Sequence, residues 1–264
     1  MPPRSSRTSD GVRLLEFEPS KAAMAVHPLD PKPRAVLFDL DDTLCDYASA
    51  RDARLRKAFT LAVDGAFQAR EAIDLDQMVA ESIMMHPHGS DHFKELFARY
   101  NIDDPQVARA ASDWYRRNRF HGLRLFPEAA DVFQTVRNVL ARNKPRSPRP
   151  IGIVTNGPEE VQRAKLKLLG VDSLVDFTII SEEFGVAKPD PRIFLAALRL
   201  AEVTSGEAVF VGDSPEFDML GARAAGIPTV WINRHGLPWG ESGPPPVHQI
   251  GSLGELPLLL RFGE

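Results

Sequence analysis

The chain has 264 residues, 43% of them hydrophobic and 26% charged, an ordinary globular composition with room for a sizeable core and a second small domain. Its formal net charge of -4 gives no reason to expect nucleic acid or an acidic membrane surface as a partner. The single cysteine, Cys45, excludes an internal disulfide, no run approaches the roughly 18 apolar residues of a transmembrane helix, and Arg4 and Arg7 have no apolar stretch behind them, so a cytoplasmic setting is expected.

Residues 1–33 lack sustained periodicity and are expected to form a partly irregular N-terminal extension. Val12–Phe17 reads as a short edge strand, and Pro28, Pro31 and Pro33 mark irregular chain. Ala35-Val36-Leu37-Phe38 is a short apolar run that ends in acidic residues, the pattern of a buried strand feeding a polar loop. The stretch 47–122 then carries helical spacing around 48–69, 74–85, 91–100 and 105–121 and no convincing strand, which predicts an all-helical insert.

Pro127 opens a helix whose Val132, Val136 and Val139 share a face. Asn143–Pro150 is basic and proline-rich and reads as an exposed connection. Further strands are expected at Ile151–Val154, Phe177–Ile180, Ala208–Val211 and Pro228–Ile232. Helices separate them: one with Pro158 at its first position and Gly170 as its stop, one capped by Asp190 before Pro191, and one from Pro215 capped by Ser214 and ending near Gly226. Strands alternating with such helices predict an α/β fold with a mostly parallel sheet covered on both faces. Ligands of these sheets bind outside the carboxyl ends of the strands.

Four strand ends therefore carry the chemistry. Asp39-Leu40-Asp41-Asp42-Thr43 follows the first strand, and residues two apart on extended chain point the same way, so Asp39 and Asp41 face one pocket. Such close carboxylates repel unless a cation separates them; a solvated turn is the ordinary alternative. Thr155-Asn156-Gly157 combines a hydroxyl with a helix N-terminus, which suits a phosphate dianion, although threonine also caps helices for structural reasons. Lys188-Pro189-Asp190 supplies an ammonium, and Gly212-Asp213-Ser214-Pro215-Glu216-Phe217-Asp218 supplies two more carboxylates. Singly, a surface lysine and a helix-dipole aspartate explain the last two. Together the four ends hold a nucleophile, a proton donor, metal ligands and donors for phosphate oxygens, the inventory of phosphoryl transfer.

These segments, in this order across about 35–235, resemble the four motifs of the haloacid dehalogenase superfamily of hydrolases. The insert resembles the helical cap of the family's first subclass. The resemblance implies a Rossmann-like parallel-sheet core at 34–46 and 123–264 with the cap at 47–122. It implies Asp39 as nucleophile and Mg²⁺ ligand, and Asp41 as general acid/base that offers its backbone carbonyl to the metal. Thr155 and Asn156 would bind phosphate, Lys188 would steady Asp39 and the transferring group, and Thr43 would hold the loop. Asp213 would ligate Mg²⁺, with Asp218 as a further ligand or an outer-shell partner. Mg²⁺ also suits a set of carboxylate oxygens, being a hard cation.

Asp41 favours the phosphatase branch, because an alkoxide leaving group needs a proton and a halide does not. The expected activity is hydrolysis of a small phosphorylated metabolite through an aspartyl-phosphate: a sugar phosphate, an N-acylneuraminate 9-phosphate or a nucleoside monophosphate. A phosphomutase, a 2-haloacid dehalogenase and a non-catalytic binding module are the alternatives. Within the insert, His86, His88 and His92 are read as a surface loop rather than a metal site, and Arg51 and Arg54 as a solvated helix face. Oligomeric state is not readable from these patterns.

Overall fold

Ala35–Phe38 (β1) is buried along its whole length, and its alternate side chains serve two different cores: Val36 and Phe38 face one, Ala35 and Leu37 the other. That is the burial of a central strand in a sheet covered on both sides. The computed structural model describes residues 29, 32–65, 73–85, 91–142, 150–240, 243, 246 and 248–260. The remaining strands are Ile151–Thr155 (β2), Phe177–Ile180 (β3), Ala208–Gly212 (β4), Thr229–Ile232 (β5) and His248–Ile250 (β6). Their order is β3-β2-β1-β4-β5-β6 and every pairing is parallel. The order reverses at β1, which opens a crevice at the carboxyl ends of β1, β2 and β4.

Helices α1 (Tyr47–Gly65), α2 (Leu75–Met84), α3 (His92–Arg99) and α4 (Pro105–Arg117) follow β1. They bury a cluster of their own around Leu55, Phe59, Met78, Phe93 and Phe97, separate from the two cores of the sheet. Phe59 meets Phe93 and Phe97 edge-on at centroid distances of 5.9 and 5.7 Å. Such pairs add about 0.5–1.5 kcal/mol each beyond the area they bury. The chain enters and leaves this unit side by side. Cys45 bridges Leu125 in antiparallel fashion, Asp46 N donates to Arg124 O at 3.0 Å, and Phe126 N donates to Leu44 O at 3.0 Å.

Behind the sheet, α5 (Ala129–Arg142) packs Val132, Phe133 and Val136 on one face, joined by α10 (Leu256–Leu260). On the other face α8 (Pro191–Ala201) contributes Ile193, Phe194 and Ala197, joined by α9 (Leu220–Ala224) through Ala222. Helix α6 (Glu159–Leu168) and the single turn α7 (Ser181–Phe184) border the crevice.

Several expectations need correcting. The sheet has a sixth strand, β6, whose three residues carry no apolar run. The stretch after Ser214 is not one helix: Pro215–Met219 winds as a π-type turn before α9 begins. Pro158 is the N-cap of α6 rather than its first helical residue. His92 lies on α3, buried, with its Nε2 2.8 Å from Ser82 Oγ, and is no surface-loop residue. Val12–Phe17, His86, His88 and 143–149 lie outside the described residues.

Candidate active site

Asp39 is the first residue past β1, and its N–H extends the ladder to Val211 O of β4 at 2.9 Å. The loop then tightens. Asp42 takes a positive φ of 59°, a conformation that aspartate tolerates better than most side chains, and its Oδ1 accepts from Ala48 N at 2.7 Å to open α1. Thr43 is fully buried and its hydroxyl donates to Asp213 Oδ1 at 3.4 Å, tying the loop to the end of β4.

The Lys188 ammonium lies between two carboxylates, donating to Asp39 Oδ1 and, at 2.7 Å, to Asp218 Oδ1. All three groups are buried. Asn156 holds the lysine backbone at both polar atoms: Lys188 N donates to its Oδ1 at 2.9 Å and its Nδ2 donates to Lys188 O at 3.0 Å. The Asn156 side chain, expected on phosphate, is thus occupied in positioning Lys188. Asp218 reaches back from the π-type turn, where its Oδ2 accepts from Ser214 N at 3.1 Å. Only glycine at 212 permits this, because a Cβ there would come within 2.4 Å of Asp218 Oδ2.

Asp39, Asp213 and Asp218 each present a carboxylate oxygen within 4.8 Å of the others. Burial, together with repulsion from Asp218 and against the pull of Lys188, pushes Asp39 up to about 7. Burial and repulsion from Asp39 and Asp218 push Asp213 up to about 8. Burial works against the Lys188 charge, but Asp218 and Asp39 outweigh it and hold the ammonium above its ordinary range. A single lysine between crowded carboxylates leaves a negative excess, which a hard divalent cation with oxygen preference fits.

The family model of haloacid dehalogenase-like hydrolases matches residues 33–226. The chain belongs to the haloacid dehalogenase-like hydrolases. It is 33% identical over 207 residues to the glyceraldehyde 3-phosphate phosphatase of Methanopyrus kandleri, covering 76% of this chain and 84% of that protein. It is 27% identical over 241 residues to the human N-acylneuraminate-9-phosphatase, covering 86% and 94%. Among solved structures, the HAD-hydrolase YfnB of Bacillus subtilis, bound to magnesium, superposes with a TM-score of 0.63 at 22% identity over 88% of this chain and all of that one, a likeness of fold. The named relatives are phosphatases, and this chain is a hydrolase of the same family.

Two residues of the hydrolase next to Asp41 escaped the sequence reading. Lys165 of α6 is buried, and its Nζ sits 2.9 and 2.7 Å from the two carboxylate oxygens of Asp41 and 4.2 Å from the Tyr47 ring centroid. Gln162, one helical turn earlier, donates through Nε2 to Thr155 Oγ1 at 2.6 Å and to Asp41 Oδ2 at 3.2 Å. Thr155 accepts that bond, and among the described residues its own proton has only a 3.5 Å contact to Asn156 O. The available signal was spacing: Gln162 and Lys165 share the inward face of α6 with Leu166, positions where a periodic helix places apolar residues.

Arg54 also departs from expectation, being 3% exposed rather than solvated. Beside Asp213 the hydrolase has a cavity of about 620 Å³ whose lining includes Asp42, Ser49, Arg51, Asp52, Asn233 and Arg234. Among the described residues no helix is long and apolar enough to cross a membrane.

Proposed function

We propose that this hydrolase is a Mg²⁺-dependent phosphatase that takes the phosphoryl group of a small metabolite onto Asp39 and then releases it to water. The observation that supports this most is the Asp39 carboxylate itself, buried beside Lys188 and two further carboxylates at the switch point of the sheet. Asp39 and Asp213, with the Asp41 carbonyl, would hold Mg²⁺, and Asp218 would act from the outer shell through Lys188 and Ser214. When bound, the cation neutralises charge on the phosphoryl oxygens.

The chain's own groups divide the remaining work. Asp39 attacks phosphorus in line while Lys188 keeps its carboxylate oriented and stabilises the transferring oxygens. Thr155, whose oxygen already accepts from Gln162, donates its proton to a phosphoryl oxygen. Asp41 gives a proton to the leaving alkoxide, then takes one from the water that attacks the aspartyl-phosphate at phosphorus. Lys165 holds both oxygens of the Asp41 carboxylate in the base-competent state.

The N-acylneuraminate and triose phosphatases to which the chain is similar point to sugar phosphates as the substrate class. The test is phosphate release from p-nitrophenyl phosphate, with and without excess chelator, combined with beryllofluoride titration as an aspartyl-phosphate mimic. Mg²⁺-dependent release, and beryllofluoride binding that disappears in Asp39→Ala, are expected. Full activity in excess chelator, or turnover by a folded Asp39→Ala protein, would end this reading.

A further inference from the structure

One face of α1 carries Tyr47, Arg51 and Arg54, and polar atoms of the two arginines find no hydrogen-bond partner among the described residues. Arg54 Nε donates to Ala50 O at 3.2 Å and Nη1 donates to Arg119 O, but Nη2 is buried without a partner among the described residues. Arg51 Nε and the hydroxyl of Tyr115, on α4, are buried and likewise without partners among the described residues. These groups are neighbours. Arg51 and Arg54 stand 5.8 and 5.5 Å from the centroid of the Tyr47 ring, and Arg54 stands 5.0 Å from that of Tyr115. Among the described residues neither guanidinium has a carboxylate within ion-pair distance, although the Arg51 charge acts on Asp42 from further off, whereas Lys165 beside the same ring is paired with Asp41.

Buried donors are nearly always paired, and leaving a charged one unpaired is costly, so three around one pair of rings call for an explanation. The fork of a guanidinium has no acceptor and matches a planar anion. The position of the cluster supplies the rest. Asp41 faces the leaving oxygen in the proposed reaction, so the organic part of the substrate lies on its side. Lys165 and Tyr47 occupy that side, and Arg51 lines the cavity next to Asp42 and Asp213.

We propose that Arg51, Arg54 and Tyr115 form a carboxylate subsite. The substrate is then a phosphate monoester whose organic part carries a carboxylate, a hydroxy-acid or sugar-acid phosphate. This rests on the phosphatase reading and adds the chemistry of the leaving group. A carboxylate fits better than a second phosphate because the aromatic, buried setting penalises a dianion far more than a monoanion. Ser49 along the same cavity offers a hydrogen bond to a hydroxyl group of the same molecule.

The test compares matched esters at constant Mg²⁺. 3-Phosphoglycerate is set against glycerol 3-phosphate, and 6-phosphogluconate against sorbitol 6-phosphate, with sorbitol 1,6-bisphosphate as the dianion arm and p-nitrophenyl phosphate as the reference. At least one acid should exceed its neutral partner by about 10–100-fold in kcat/KM, the worth of a charge-assisted bidentate contact. In Arg51→Met that ratio should collapse toward one, whatever the absolute rates, and Arg51→Lys should restore part of it. Because Arg54 also holds Arg119, the ratio in Arg54→Lys is read only after its thermal melt matches wild type. Equal rates for acid and neutral esters, a ratio insensitive to Arg51→Met, or a preference for the bisphosphate would overturn the carboxylate subsite. p-Nitrophenyl phosphate hydrolysis would then show that the phosphatase reading survives. No hydrolysis of any ester would sink that reading and this inference with it.

Discussion

Asp41, just past β1, and Lys165, on α6, form a close ion pair that separates two kinds of loss. Asp41→Asn preserves shape and the backbone carbonyl but removes the transferable proton. A fall in kcat of roughly 10²–10⁴-fold is expected, the usual worth of general acid–base help. Lys165→Met should instead leave Asp41 chemically able but unheld, lowering kcat by about 10-fold or more with a smaller change in KM. Steady-state kinetics on one substrate distinguishes them, and equal kcat values for Lys165→Met and wild type would remove Lys165 from the machinery. In ¹⁸O-water, with enzyme in excess, label is expected in phosphate and not in the Asp39 carboxylate; label in Asp39 would mean attack at its carboxyl carbon. Asp39 and Asp213 were readable in the chain because each follows an apolar run that can only be a buried strand. Lys165 and Gln162 were not, because a polar residue on a helix is assigned to water by default. Nothing local says that α6 turns this face inward onto a carboxylate 124 positions earlier. Asn156 shows the converse: its position at a strand end was legible, but not that both its amide atoms hold Lys188.

At the level of elements, parallel register does most of the assembly. Phe38 pairs with Val211 on one side and Ile153 on the other, so the residues just past these strands arrive at one edge without further instruction. Five strands announced themselves through β-branched and aromatic runs. His248-Gln249-Ile250 did not, since its pairing with β5 comes from its neighbour rather than from its own composition. The π-type turn at Pro215–Met219 was likewise invisible, because Ser214 and Pro215 are the same start signal for either winding. Its wider turn is what returns Asp218 against Gly212. Gly212→Ala should therefore force Asp218 aside, destabilising the fold by about 1–3 kcal/mol and reducing activity. Urea unfolding read alongside kinetics checks this, and an unchanged midpoint with full activity would mean that the contact relaxes without consequence.

For the molecule as a whole, the helical unit and the acidic cluster make separate demands. Replacing about 48–122 by a short linker should leave some hydrolysis of small aryl phosphates if the sheet still folds, while preference among metabolites should collapse. Unchanged selectivity would move its determinants into the sheet domain. The acidic cluster sets a pH dependence whose sign can be worked out. Asp39 and Asp213 bind protons more tightly folded than unfolded, at about 7 and about 8 against 3.8, so the metal-free folded state carries the extra protons in that window. Stability of the metal-free protein should thus fall as pH rises from about 4 to 8. Mg²⁺ competes with those protons, so it should raise the melting temperature more at pH 8 than at pH 5.5. A larger shift at pH 5.5 would contradict the assignment of the cation to this cluster.

The central place of β1 also has a consequence for the order in which the chain is made. The strand that leads into Asp39 leaves the ribosome before either of its partners, β2 at Ile151 and β4 at Ala208. Helices α1 to α4 emerge in between and, having a core of their own, can pack while β1 still waits. During that interval Ala35–Phe38 is an exposed apolar run with free hydrogen-bonding edges on both sides, a segment prone to pair with another chain. Its later pairing must close loops of more than a hundred residues, which makes assembly of the crevice a late event in folding. The edge that carries Asp39 is thus completed only after α1 to α4 have emerged.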